Sequence, residues 1–159
     1  MRIRRLTRRD CAAALPLLEA QYREHDIGMG GARLLRALRE LLDGKGLALI
    51  AAERTAAVGV AILSFSHELE RGGRIAWLDE LYVVPERRGR GTGRALLRRA
   101  LREARQEGCE SVHLEVVRGH GRAARLYVRE GFHRLPRTRY MRVLRERRAR
   151  SLHGRGASR

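Results

Sequence analysis

Hydrophobic and polar positions along this chain switch repeatedly between a period of two and a period near 3.6, the marks of alternating strands and helices. Ile3 to Leu6 predicts a first strand. Thr7 to Asp10 has the form of a capping box, with Asp in place of Glu, opening a helix to about Arg23. After a glycine-rich break at Gly28, Gly30 and Gly31, Leu34, Leu35, Leu38, Leu41 and Leu42 form the stripe of a second helix, Ala32 to Leu42, which Gly44 and Gly46 end. Leu47 to Ala52 and Ala57 to Phe65, joined by the turn Glu53 to Ala56, predict an antiparallel hairpin. Arg74 to Val84 is the next strand. There follow a helix from Gly93 to about Gln106, a strand Ser111 to Val117, a short helix Arg122 to Glu130 closed by Gly131, and a final strand Tyr140 to Leu144. The order β-α-α-β-β-β-α-β-α-β predicts a single α/β domain over 1–144. Beyond it, 145–159 is a basic tail without apolar periodicity, the composition of disordered chain.

Length and composition change this picture in four ways. With 159 residues the chain can bury a core of its own. It has no apolar run of membrane-spanning length and no apolar segment after its arginine-rich start, so the expectation is a cytoplasmic protein without a membrane partner. Cys11 and Cys109 lack metal-ligand spacing and read as reduced thiols, so no metal site is expected. The formal charge is +17, carried almost wholly by arginine, since Lys45 is the only lysine. Such a field attracts polyanions of any kind, nucleic acid included. No zinc finger, RRM-like aromatic strand or helix-turn-helix accompanies it, so a basic nucleic-acid-binding module stands as the competing class and no specific nucleic acid is expected.

The most informative stretch runs from Leu78 to Gly93. Leu81, Tyr82, Val83 and Val84 are a β-favouring run that Pro85 stops, and beyond Gly93 the positions Leu96, Leu97, Ala100, Leu101 and Ala104 recur at helical spacing. Gly89, Gly91 and Gly93 therefore lie where a helix begins, so that bare N–H groups, the positive helix end and flanking arginines make an anion site. It is no P-loop, because Arg94-Ala95 follows the last glycine where Lys-Ser/Thr is needed. Nor is it a dinucleotide fingerprint, because the third glycine comes one residue early. What remains, Arg88-x-x-Gly91-x-Gly93 after a strand ending Leu-Tyr-Val-Val-Pro, resembles the acetyl-coenzyme A signature of the GNAT N-acetyltransferase superfamily. Ala123-Ala124-Arg125-Leu126-Tyr127 with Gly131-Phe132 resembles a second segment of the same family, in the right order. The likeness spans roughly residues 75 to 144, and Leu-Asp-Glu-Leu-Tyr-Val is nearest to the diamine and other small-amine enzymes.

The resemblance implies a GNAT-type domain with a mixed central sheet flanked by helices. It also implies direct transfer of acetyl from acetyl-coenzyme A to a primary amine of a small molecule, within a ternary complex. A protein lysine or amino terminus is the alternative acceptor, and a homodimer is left open. By the same likeness the cofactor lies along Leu81, Tyr82, Val83 and Val84, whose strand splays from the next, and on Arg87, Arg88, Gly89, Arg90, Gly91, Thr92, Gly93 and Arg94, with His120, Ala123 and Tyr127 beside it. His120 departs from the usual Asn but can still donate one hydrogen bond, and an exposed loop histidine is the competing reading. Tyr127 stands where the family has a general acid for the leaving thiolate, against a plain core aromatic packed with Leu126 and Phe132. Asp79 and Glu80 are the candidate proton acceptors, against an edge-strand charge; as strand neighbours they should point to opposite faces, so at most one should face a given cleft. An acyl-enzyme on Cys109 lacks a base in the sequence and is rejected. Tyr22, His25, Asp26 and Trp77 fall on segments that build the acceptor pocket in this fold, though none belongs to a motif.

Overall fold

The computed structural model describes residues 1–117 and 119–144. Its centre is a five-stranded sheet in the order β1-β2-β3-β4-β5: β1 (Arg2–Arg5), β2 (Gly46–Glu53), β3 (Ala56–Glu68), β4 (Gly73–Val83) and β5 (Ser111–His113). The first four strands pair antiparallel and β4 pairs parallel with β5, so the sheet is mixed, as expected. Arg54 and Thr55 close the β2–β3 hairpin, with Arg54 at φ 54°.

Strict alternation in β2 places successive residues on opposite sides of the sheet, and both sides are covered. Leu47, Leu49 and Ala51 face a core completed by Leu63, Leu78, Leu96, Leu97 and Ala100, whereas Ala48 and Ile50 face one completed by Leu18, Leu34, Leu38, Val60 and Tyr82. Helix α3 (Thr92–Gln106) roofs the first core; α1 (Leu15–Glu24) and α2 (Gly31–Leu42) roof the second. Gly59 shows how tightly α3 is seated: a Cβ there would come within 2.9 Å of both Leu96 Cδ1 and the Tyr82 carbonyl oxygen. A buried Glu103 on α3 is clamped by Arg5 of β1 and by Arg99. The short α4 (Gly121–Arg129) is fastened to α3 by Glu130, which accepts from Arg94 and Arg98.

Three expectations need correction. The capping-box segment does not open a helix directly. Asp10 accepts from the Thr7 N–H and hydroxyl, a 3-10 turn follows over Cys11–Ala14, and α1 begins only at Leu15, with Pro16 in its first turn. β5 is three residues long rather than seven, because its pairing with β4 ends at Trp77–His113. The expected strand Tyr140–Leu144 is not a strand: with β5 ending so early it has no partner edge, and Tyr140 and Leu144 are 90% and 88% exposed. The tail 145–159 lies outside the described residues. No helix among the described residues is long and apolar enough to cross a membrane.

Candidate active site

The site is built where β4 breaks its pairing twice. On the β5 side, β4 is paired only from Ile75 to Trp77, so the stretch from Leu78 to Val83 runs on without a neighbour. This is the expected splay, and it leaves the β5-side edge of β4 beyond Trp77 without strand partners, although the Val83 carbonyl there accepts from Arg88. On the β3 side, Ile62 pairs with Glu80 and Leu63 with Leu78, so Asp79 is an extra residue in a β-bulge. The bulge shifts the phase of the strand by one. Leu78 and Val83 face the core under α3 while Tyr82 faces the other, and Asp79 and Glu80 both line one pocket of about 270 Å³ with Trp77, Leu78, Glu115 and Arg139. The expectation that adjacent carboxylates must part to opposite faces is therefore wrong here, since a bulge suspends the alternation on which it rests. The sequence carried the signal: two polar residues in succession separate Leu78 from Leu81, where an unbroken strand would have one.

The two carboxyls differ in setting. Glu80 accepts from Tyr22 Oη at 2.6 Å and from Gln21 Nε2 at 2.6 Å, both on α1. Burial pushes the Glu80 carboxyl up; the Tyr22 bond opposes this, the Asp79 charge adds to it, the Gln21 bond opposes it, and the net shift is upward. Burial also raises the Tyr22 phenol, helped by the Glu80 bond, so Tyr22 remains a donor. Asp79 keeps water contact at the pocket rim. Partial burial nonetheless holds it above its ordinary value, against hydrogen bonds from Ser64 and the charge of Arg139. Gln21 Oε1 is buried without a partner among the described residues, so the amide has an acceptor in reserve beside Glu80. Gln21 escaped the sequence reading, although it interrupts the apolar face of α1 marked by Leu17 and Leu18.

The glycine loop lies at the other end of the same strand. Gly89 and Gly91 have φ of 78° and 85°, and Gly91 is the N-cap of the 15-residue α3. No side chain caps that helix among the described residues, so its first-turn N–H groups are open to an anion. A Cβ at Gly91 would meet nothing within 4 Å, so its glycine is required by backbone conformation; at Gly93 a Cβ would lie 3.6 Å from Val83 Cγ2, ordinary contact. The arginines of the loop are not equivalent. Arg87 pairs with Glu53 at 3.0 Å and Arg94 with Glu130 at 2.5 Å. Arg88 donates to the Val83 carbonyl and to Glu24, lying over the Tyr82 ring, whose hydroxyl also donates to Glu24. Partial burial raises the Glu24 carboxyl, but the Arg88 and Tyr82 bonds more than offset it and hold it low. Arg88 thus ties the loop to α1, while Arg90 is exposed and has no ion pair among the described residues. The buried Thr92 opens the helix.

Around this loop the remaining expected residues gather unevenly. His120, the N-cap of α4, meets His25 at the end of α1 edge to face, ring centres 4.9 Å apart. Ala123 is half-buried on α4. Tyr127 is half-buried against the core under α3, edge to face with Phe132 at 5.7 Å, and burial raises its phenol. Its hydroxyl has no hydrogen-bond partner among the described residues. Packing and proton donation are thus compatible at this position. Asp26 is exposed at φ 53° and joins neither pocket nor loop contact. Cys109 is raised by burial, as befits an unreactive thiol, and no group of three or more metal-ligating side chains occurs among the described residues. The glycine loop and the Asp79/Glu80 pocket thus lie along one strand, β4, whose β5-side edge is without a partner beyond Trp77.

Known proteins share this fold. The family model described as the acetyltransferase (GNAT) family matches residues 12–132. An uncharacterised N-acetyltransferase of Bacillus subtilis, YhfO, is 32% identical over 83% of this chain and 89% of its own. Thialysine N-epsilon-acetyltransferase of Bos taurus is 34% identical over 44% of this chain, and aminoalkylphosphonate N-acetyltransferase of Salmonella typhimurium is 37% identical over 47%. Those matches span only 41% and 49% of the two relatives. Among solved structures, a candidate acetyltransferase of Arthrobacter sp. FB24 superposes with a TM-score of 0.77 at 32% identity, covering 91% of this chain and 96% of that one. An aminoglycoside N-acetyltransferase in complex with CoA does so at 0.78 and 20% identity, over 90% and 94%, a likeness of fold.

Proposed function

From the premise that the chain belongs to the GNAT family of acyl-CoA-dependent N-acetyltransferases, we propose that it moves acetyl from acetyl-coenzyme A directly to the primary amine of a small molecule. The observation that carries the reading is β4, bulged at Asp79 and without a β5 partner beyond Trp77, which runs from the Asp79/Glu80 pocket toward the uncapped α3 N-terminus. A pocket of about 270 Å³ suits a small acceptor better than a peptide, which needs an open groove. Two curated relatives are named for small amines, thialysine and aminoalkylphosphonates, which supports the same choice.

Bound, the cofactor supplies the acetyl thioester. The Gly89–Gly93 loop and Arg90 hold its phosphates by N–H donation and charge. The backbone N–H groups of Leu81 and Val83, which alternate with the β3-facing Tyr82 and Val84, would offer a bound thioester carbonyl fixed donors where its oxygen gains charge. An amine of free pKa ~10.4 must shed a proton first, and the raised Glu80, with Asp79 at the rim, receives it directly or through water. The Tyr127 phenol, held protonated by burial, donates to the departing thiolate. His120 would donate to the pantetheine arm of a bound cofactor, and Tyr22 holds Glu80 in place.

Thiol release from acetyl-coenzyme A, followed over a panel of amino acids, aminophosphonates, polyamines, aminoglycosides and basic peptides, tests the proposal. At least one small amine should drive release that Glu80→Gln slows. Release with basic peptides alone would assign a protein acceptor. No release with any member, together with equal acetyl-coenzyme A binding by the wild type and Gly91→Asp, would return the chain to the class of basic binding modules.

A further inference from the structure

The acceptor pocket is not simply acidic. Beside Asp79, Glu80 and Glu115 its wall carries one guanidinium, that of Arg139. Its group donates to Glu115 Oε1 at 2.7 Å and lies over the Trp77 ring, 5.2 Å from the centre, and its charge reaches Asp79. The chain that brings it there is pinned two residues earlier, where Arg137 pairs with Glu68 and Glu70 at the end of β3. Arg139 is thus delivered to the pocket by a strap crossing the sheet edge, and its contacts there are with pocket residues.

We infer that the amine acceptor carries an acidic group, a carboxylate or phosphonate, and that Arg139 binds it while the ammonium lies against Asp79 and Glu80. A diamine would need only carboxylates, and its second ammonium would be repelled by a guanidinium in the wall. The planar fork of Arg139 matches a carboxylate or phosphonate bidentately, and the Trp77 ring already holds the guanidinium at the pocket. Glu115 does not block this. The side chains of Arg139 and Glu115 are 66% and 52% exposed, and a pair so open to water is weak enough for an incoming anion to compete for the guanidinium. Glu115 then parks the arginine in the free protein and is displaced when the acceptor enters. This inference rests on the acetyltransferase reading for the place of the amine, but its central contact can be measured without turnover.

Trp77 is the only tryptophan of the chain, so tryptophan fluorescence, excited selectively over the four tyrosines, reports this pocket. The full-length protein is titrated with γ-aminobutyrate, aminopropylphosphonate, n-butylamine and putrescine at constant ionic strength. The two zwitterions should bind at least about tenfold more tightly than n-butylamine, the scale of one charge-assisted pair, and putrescine no better than n-butylamine. In Arg139→Gln the ratio of zwitterion to n-butylamine affinity should fall toward one. Arg139→Lys, which keeps the charge without the fork, should retain part of it, and Glu115→Gln should raise zwitterion affinity. Wild-type preference for putrescine, or an affinity ratio untouched by Arg139→Gln, would overturn the inference. Preference for only one zwitterion identifies the anion as carboxylate or phosphonate. Absence of acetyl transfer in the thiol assay, with this binding pattern intact, would refute the catalytic reading and leave the Arg139 site standing.

Discussion

Glu80 is where proton chemistry and stability meet. Burial holds its carboxyl above the ordinary range, so the folded chain keeps a proton that the unfolded chain has already released. Ionised Glu80 therefore costs stability. That cost appears as pH rises through the ordinary carboxylate value, grows until the raised folded value is passed, and is constant above it. Glu80→Gln removes the charge, and an amide flip lets Gln21 Oε1 accept from the new side chain. The melting temperature of Glu80→Gln relative to wild type should rise between acidic and neutral pH; a difference independent of pH would contradict the raised carboxyl. In turnover the same variant should lose most below neutral pH, by ~10²-fold, and recover partly as pH rises and more amine is neutral. At Tyr127 the expectation is different in kind. Tyr127→Phe removes a hydroxyl with no partner among the described residues and keeps the ring on Phe132, so melting should scarcely change while turnover falls ~10²-fold where chemistry limits the rate. Full turnover in Tyr127→Phe would leave the residue a packing aromatic.

At the scale of elements, the strand-to-helix junction at Gly91 depends on backbone shape. With φ at 85°, any L-residue there is strained by about 1–2 kcal/mol. Open space around the position means that no clash adds to this. Gly91→Ala should weaken acetyl-coenzyme A binding by roughly tenfold with the fold intact, read by calorimetry; unchanged affinity would show that the loop shape does not hold the cofactor. Gly59→Ala, far from any proposed chemistry, should instead lower the melting temperature, because its Cβ meets α3 and the β4 backbone at 2.9 Å. Most elements were legible to within two residues because each has a clear period, as α2 and α3 show, and because glycines punctuate them. The two strand failures share one cause: pairing decides strand existence, and pairing is not local. Ser111 to Val117 alternates well enough, yet only three residues of that segment find a β4 partner. Tyr140 to Leu144 has strand composition and no edge to join. The Asp79 bulge was legible from the Leu78–Leu81 spacing, whereas Arg139 and Glu115 meet only through the folded chain and left no trace in the sequence.

For the whole molecule, charge and specificity must be separated. A formal +17 gives affinity for any polyanion, and arginines such as Arg90 and those along α3 spread it widely. Acetyl-coenzyme A carries few phosphates, so its binding should weaken modestly between ~50 and ~200 mM salt, while non-specific nucleic-acid binding should fall by ~10³-fold or more. Gly91→Asp should abolish the first and spare the second; loss of both together would merge the two surfaces. The family's fold, the uncapped α3 and the Asp79/Glu80 pocket then converge on one claim, that acetyl passes directly from thioester to amine. The most direct test quantifies free coenzyme A and acetylated amine in one reaction, alongside the intact mass of the protein. The account predicts that the two products appear one for one, that neither forms before the amine is added, and that the protein never gains an acetyl group. Coenzyme A released without an amine, or an acetyl group carried on the chain and passed on later, would contradict it.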